Sequence, residues 1–138
     1  MLFFSLSWPV LGSDCTLPKS LNGVTFLFKI SESYTPMNVM PGNLLESRFS
    51  ERHYTTEILN TGEKVRGVYT YQRYHSQFGR FHASEGTGEQ LTQYAKTLVC
   101  KTDKVGYVIF SQSIGVIKPN VRQDTGTYVI TSLPARNQ

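Results

Sequence analysis

Eight short runs rich in Val, Ile, Thr, Tyr and Phe, set apart by turn residues, constrain this chain more than any other feature. They cover residues 24–30, 44–49, 54–59, 65–74, 78–84, 94–100, 106–113 and 127–131. β-branched and aromatic side chains pack well on a pleated surface and lose rotamer freedom in a helix. Of 138 residues only three are Ala, against eleven Val, six Ile, fourteen Thr, eight Tyr and eight Phe, which excludes a helical bundle. The breaks between runs carry turn chemistry: Asn22-Gly23, Asn60-Thr61-Gly62-Glu63, Glu85-Gly86-Thr87-Gly88-Glu89 and Lys101-Thr102-Asp103-Lys104. The longest break, residues 31–43, contains Pro36, Asn38, Pro41 and Gly42 and reads as a long loop. Short antiparallel strands bury one face only by closing on themselves or by stacking as two sheets, and closure removes the exposed edges. The expectation is an all-β fold, an eight-stranded antiparallel up-and-down β-barrel, as one domain over residues 14–138.

Residues 1–13 are uncharged and mostly apolar. They are too few to cross a hydrocarbon layer as a helix, which takes about 20 residues, but they match the apolar core of a signal peptide, with small Gly12 and Ser13 at its end. We read them as a signal peptide without the usual basic start, which makes the protein secreted or periplasmic, with no transmembrane segment. The alternative is an apolar first strand or arm. Asp14 ahead of Cys15 departs from a lipidation box. The two cysteines, Cys15 and Cys100, are an even count that in an exported chain favours one disulfide, tying the N-terminal arm to the barrel. The other reading is a buried thiol at Cys100. Neither cysteine has a second ligand at zinc spacing, so no metal is expected.

Fourteen basic and ten acidic residues leave a net charge of +4. Basic residues form no run, and Glu46, Glu51, Glu57 and Glu63 interleave with them, so no nucleic-acid partner is expected.

Leu21-Asn22-Gly23-Val24-Thr25-Phe26, Gly67-Val68-Tyr69-Thr70-Tyr71, the run 106–110 and Gly126-Thr127-Tyr128 resemble the glycine-plus-aromatic strand starts of lipocalin-like, or calycin-type, small barrels. The resemblance covers residues 21–131. Where lipocalins carry Gly-x-Trp, this chain has Phe26 three residues after Gly23, and its one tryptophan is Trp8. The resemblance implies an apolar barrel interior that binds a small hydrophobic molecule, with Arg122 in the part of the basic residue that closes the barrel floor.

Catalytic motifs are absent from the sequence: it contains no nucleophile elbow, no His-Glu-x-x-His helix, no phosphate loop and no dinucleotide fingerprint. His75 and His82, with Glu85, are the nearest approach to a metal set. Non-catalytic binding is therefore expected, with no cofactor. Alternation leaves two inward sets open on each long run: Tyr69, Tyr71 and Arg73 or Val68, Thr70 and Gln72; Tyr107, Ile109 and Ser111 or Val108, Phe110 and Gln112. The candidate ligand-binding residues are Tyr69, Tyr71, Arg73, Tyr107, Ile109 and Tyr128, because aromatic bodies with a polar tip suit a cavity that orients an apolar or amphipathic ligand. A second reading is an interaction or inhibitor module that meets a protein partner through loop 36–43, where Met37 and Met40 flank a rim.

Overall fold

The computed structural model describes residues 15–33 and 37–135. The segment read as a signal peptide, Trp8 and Pro36 lie outside the described residues. Eight strands follow one another: β1 (Thr25–Ile30), β2 (Leu44–Phe49), β3 (His53–Ile58), β4 (Glu63–His75), β5 (Phe78–Glu85), β6 (Thr92–Cys100), β7 (Val105–Ile114) and β8 (Arg122–Ser132). Each pairs antiparallel with the next, and β8 returns to β1 through Phe28↔Tyr128 and Lys29↔Thr127, so the sheet is a closed up-and-down barrel. The β5–β6 connection carries a single 3-10 turn, Gly88–Gln90. Among the described residues no helix is long and apolar enough to cross a membrane.

Seven of the expected strands keep their bounds to within two residues, but β8 begins at Arg122 rather than 127. The reason is physical. Arg122 and Asp124 point into the barrel, where the guanidinium meets the carboxylate at 3.3 Å and both side chains are nearly fully buried. An inward face that starts with charges does not read as a strand, because hydropathy marks it as loop.

Aromatic rings fill the bore. Phe28 on β1 and Phe81 on β5 stand on opposite walls of an eight-stranded barrel, yet their ring centroids are 6.4 Å apart. Phe49 reaches Phe81 at 5.1 Å, and Phe26 packs on Phe49 at 5.7 Å and on Tyr128 at 5.5 Å. Rings at these separations, mostly edge to face, leave no channel through that level.

Inward glycines accommodate the larger tyrosines. A Cβ on Gly67 would lie 2.7 Å from the Tyr54 hydroxyl oxygen, and one on Gly106 would lie 2.6 Å from that of Tyr128. This is the steric meaning of the glycine-plus-aromatic strand starts. It also fixes the phase of β7: Gly106, Val108, Phe110 and Gln112 face inward, so Tyr107 and Ile109, expected to face the ligand, lie on the outer wall at 52% and 45% exposure.

The disulfide joins Cys15 to the end of β6 at Cys100, as an oxidising compartment permits. From it the arm runs across one end of the barrel with Leu17 and Leu21 buried. The Leu17 amide donates to the Ser76 carbonyl at 2.8 Å and the Thr16 amide to Asp103 at 3.0 Å. We call this the arm end. The opposite, loop end carries connections 31–43, 59–62, 86–91 and 115–121.

Candidate functional site

Four of the six expected ligand-binding residues point inward, and the arm or the rim already engages three of them. The Tyr71 hydroxyl donates to the Pro18 carbonyl at 2.8 Å, Arg73 donates to the Leu17 carbonyl at 3.1 Å, and the Tyr69 hydroxyl donates to the Ser50 carbonyl at 2.5 Å. Burial raises the Tyr71 phenol to about 12, opposed by the nearby Arg73. The fourth, Tyr128, is 1% exposed and its hydroxyl has no hydrogen-bond partner among the described residues. With Tyr107 and Ile109 outside, the expected set does not converge on one space.

What does converge is a group of ionisable residues inside the barrel. Lys96 on β6 is 5% exposed and faces inward in phase with Leu98 and Cys100. Its ammonium lies 3.8 Å from the Phe28 ring centroid and 5.8 Å from that of Tyr94. Among the described residues it has neither a hydrogen bond nor an ion pair; only cation–π attraction and the longer-range fields of Asp124 and Glu85 compensate it. Burial therefore pulls the ammonium down to about 8, while Asp124 and Glu85 resist.

The carboxylates answer the same desolvation in the opposite sense. Burial raises Glu85, against a 2.5 Å hydrogen bond from the Tyr54 hydroxyl and the field of Lys96. Tyr94 donates to the Tyr54 oxygen at 3.1 Å, extending the chain Tyr94–Tyr54–Glu85, and burial raises both phenols. Burial likewise raises Asp124, against Arg122 and Lys96. The Arg122 guanidinium lies 4.7 Å over the Phe110 ring, and its Nε is buried with no acceptor among the described residues.

The cluster has a surplus of donors. Among the described residues no acceptor meets the Lys96 ammonium, and the Arg122 Nε–H is buried without one. Burying an ion with an incomplete set of partners costs several kcal/mol. Such arrangements concentrate at functional sites. The group that would complete the set is an acceptor-rich one, such as a carboxylate or a phosphate.

Sequence reasoning missed this cluster except for Arg122, which the family resemblance had singled out. A phase signal was available: Lys96 stands two and four residues before Leu98 and Cys100, and Arg122 and Asp124 share parity with Tyr128 and Ile130. A disulfide cysteine that must meet the buried arm fixes which face of β6 is inward.

At the loop end, Gln112 Nε2 is directed at three carbonyls of loop 115–121, Ile117 at 3.1 Å, Pro119 at 3.3 Å and Asn120 at 3.0 Å. This clamp displays Val116, Ile117 and Val121 to solvent, beside Leu59 and Met37 from neighbouring loops. Asn38 holds the base of the long loop through the Ser31 and Ser33 carbonyls at 2.8 and 2.7 Å. His82 faces outward, His75 ends β4 and Glu85 faces inward, so these three do not meet. Among the described residues no group of three or more His, Cys, Asp or Glu could hold a metal. No family model, no curated protein and no solved structure matches the chain.

Proposed function

We propose that the protein is a secreted or periplasmic, non-catalytic, lipocalin-like carrier of a small amphipathic molecule with an acceptor-rich head, held by Lys96 and Arg122. The observation that carries this reading is the Lys96 side chain, buried on the inner wall with no hydrogen bond or ion pair among the described residues, on the same inner wall as Arg122, whose Nε is buried with no acceptor among them. The aromatic layer blocks passage along the whole bore and the arm covers one end, so the ligand enters from the loop end. Its tail then lies among the apolar side chains of the loops, and the resemblance to lipocalins agrees with that mode.

The test is displacement of a fluorescent fatty acid, dansyl-undecanoic acid, together with native mass spectrometry of freshly purified protein. The wild type should bind the probe. Lys96→Met should bind at least about tenfold more weakly while being no less stable, since removing an uncompensated buried charge relieves a cost. No binding by the wild type, or undiminished binding by Lys96→Met, would overturn the reading.

The exposed apolar side chains of Met37, Leu59, Val116, Ile117 and Val121 favour a second reading, a protein-interaction module working through its loops. A partner captured by the wild type, lost with Met37→Asp and retained by Lys96→Met, would select that reading over the carrier.

A further inference from the structure

The outer wall separates charges that the sequence mixes. Ion pairs Lys29–Glu32, Arg48–Glu46 and Lys64–Glu57 all lie on β1 to β4 and the loop after β1. Beyond Lys64, the outward positions of β4 to β8 hold no carboxylate: the Glu85 and Asp124 side chains on those strands turn inward. Across that side runs an open trough of about 1130 Å³, and none of the described residues lining it is acidic. Arg52, His53, Arg80 and His82 supply its basic groups. Among the described residues neither arginine has a carboxylate partner.

Arg80 is held in place. Its Nε donates to the Thr97 hydroxyl at 2.9 Å, and its guanidinium lies 6.0 Å from the Tyr74 ring centroid. That leaves both terminal nitrogens to point at a ligand, and a guanidinium fork matches a planar or tetrahedral oxyanion. The rest of the trough offers neutral hydroxyls and amides, among them Thr70, Ser84, Gln93, Ser111 and Gln123.

We propose that this trough binds an acidic polysaccharide, with Arg52 and Arg80 on its sulfate or carboxylate groups and the hydroxyl and amide side chains on its sugar hydroxyls. The charge complementarity is one-sided: an anionic chain meets Arg52 and Arg80 with no carboxylate among the described lining residues, Glu51 reaching only the inward Tyr69 from outside the lining. A single-stranded nucleic acid fits less well, because it takes most of its affinity from bases stacked on exposed rings. The two tyrosines in the lining, Tyr69 and Tyr94, turn their rings into the barrel, and the exposed rings of Tyr74, Phe78 and Tyr107 lie outside the lining. This site is separate from the carrier reading, which concerns the interior.

Isothermal titration of the oxidised full chain with a heparin octasaccharide, at physiological salt, tests the proposal. The wild type should bind saturably. The double variant Arg52→Ser/Arg80→Ser should bind at least about tenfold more weakly, as expected when two charge-assisted contacts are lost. A control, Lys101→Ser/Lys104→Ser, removes the same charge from the β6–β7 turn at the arm end and should bind like the wild type. An oligothymidylate of matched charge should bind more weakly than the octasaccharide. Absence of saccharide binding, equal loss in the control, or tighter binding of the oligonucleotide would each overturn the proposal, the last in favour of a nucleic-acid surface. Dansyl-undecanoic acid binding by Arg52→Ser/Arg80→Ser should be unchanged.

Discussion

The Lys96 ammonium rests 3.8 Å from the Phe28 ring centroid, on the face of a ring that is 1% exposed. Ammonium and ring come from β6 and β1, so this contact spans the barrel interior rather than a ladder of adjacent strands. It makes stability depend on pH in a definite sense. Lys96 titrates near 8 in the fold against 10.5 in the open chain, so between those values the unfolded state binds more protons and stability rises with pH. The rise should be of the order of 1–2 kcal/mol between about pH 8 and 10. Above that, the raised phenols of Tyr54, Tyr94 and Tyr128 reverse the trend, since the unfolded chain loses those protons first. Urea denaturation at pH 8 and 10 should show the rise in the wild type and not in Lys96→Met.

Reducing the Cys15–Cys100 bridge releases a loop spanning a sequence separation of 85. By the chain-entropy relation this weakens the fold by about 4 kcal/mol. Urea titrations with and without reductant should differ by that order, and Cys15→Ser/Cys100→Ser should match the reduced wild type. Equal midpoints would mean that the arm holds its place without the covalent tie.

Gly106→Ala places a methyl 2.2 Å from the Val99 carbonyl oxygen and 2.6 Å from the Tyr128 hydroxyl oxygen. Neither neighbour is a flexible chain end: one is ladder backbone and the other the tip of a buried ring. The expected loss is about 1–3 kcal/mol. The same methyl at Gly88 meets nothing within 4 Å and costs only the strain of its positive φ. Denaturation midpoints of the two variants should rank in that order.

Gln112→Ala removes the side-chain amide that gathers the Ile117, Pro119 and Asn120 carbonyls. Loop 115–121 should become the first site of cleavage in limited proteolysis, with a stability loss of about 1–2 kcal/mol. Unchanged cleavage would show that the loop is ordered by its backbone alone.

The strands were readable because each is a run of β-formers between turn residues, and closure followed from burying a single face. The inward phase was harder. On β4 the tyrosine set faces inward and on β7 the tyrosine lies outside, because Gly106 occupies the inward position that Tyr128 overhangs. Alternation alone cannot show that, since both parities of 107–113 carry apolar bulk. The buried cluster was hidden for a related reason: Lys96, Arg122, Glu85 and Asp124 look solvated as isolated letters, and only their parity with Cys100, Ile130 and their neighbours places them inside. The charge segregation of the outer wall was invisible in the linear order, where acidic and basic residues interleave.

The arm that closes one end leaves the barrel with a polarity. Cys15 and Ser132 both emerge at that closed pole, since β8 finishes beside the start of β1 through Thr25↔Ser132. The described chain therefore enters and leaves the fold at the same pole. Loop 115–121, with Lys118 at its tip, occupies the opposite pole.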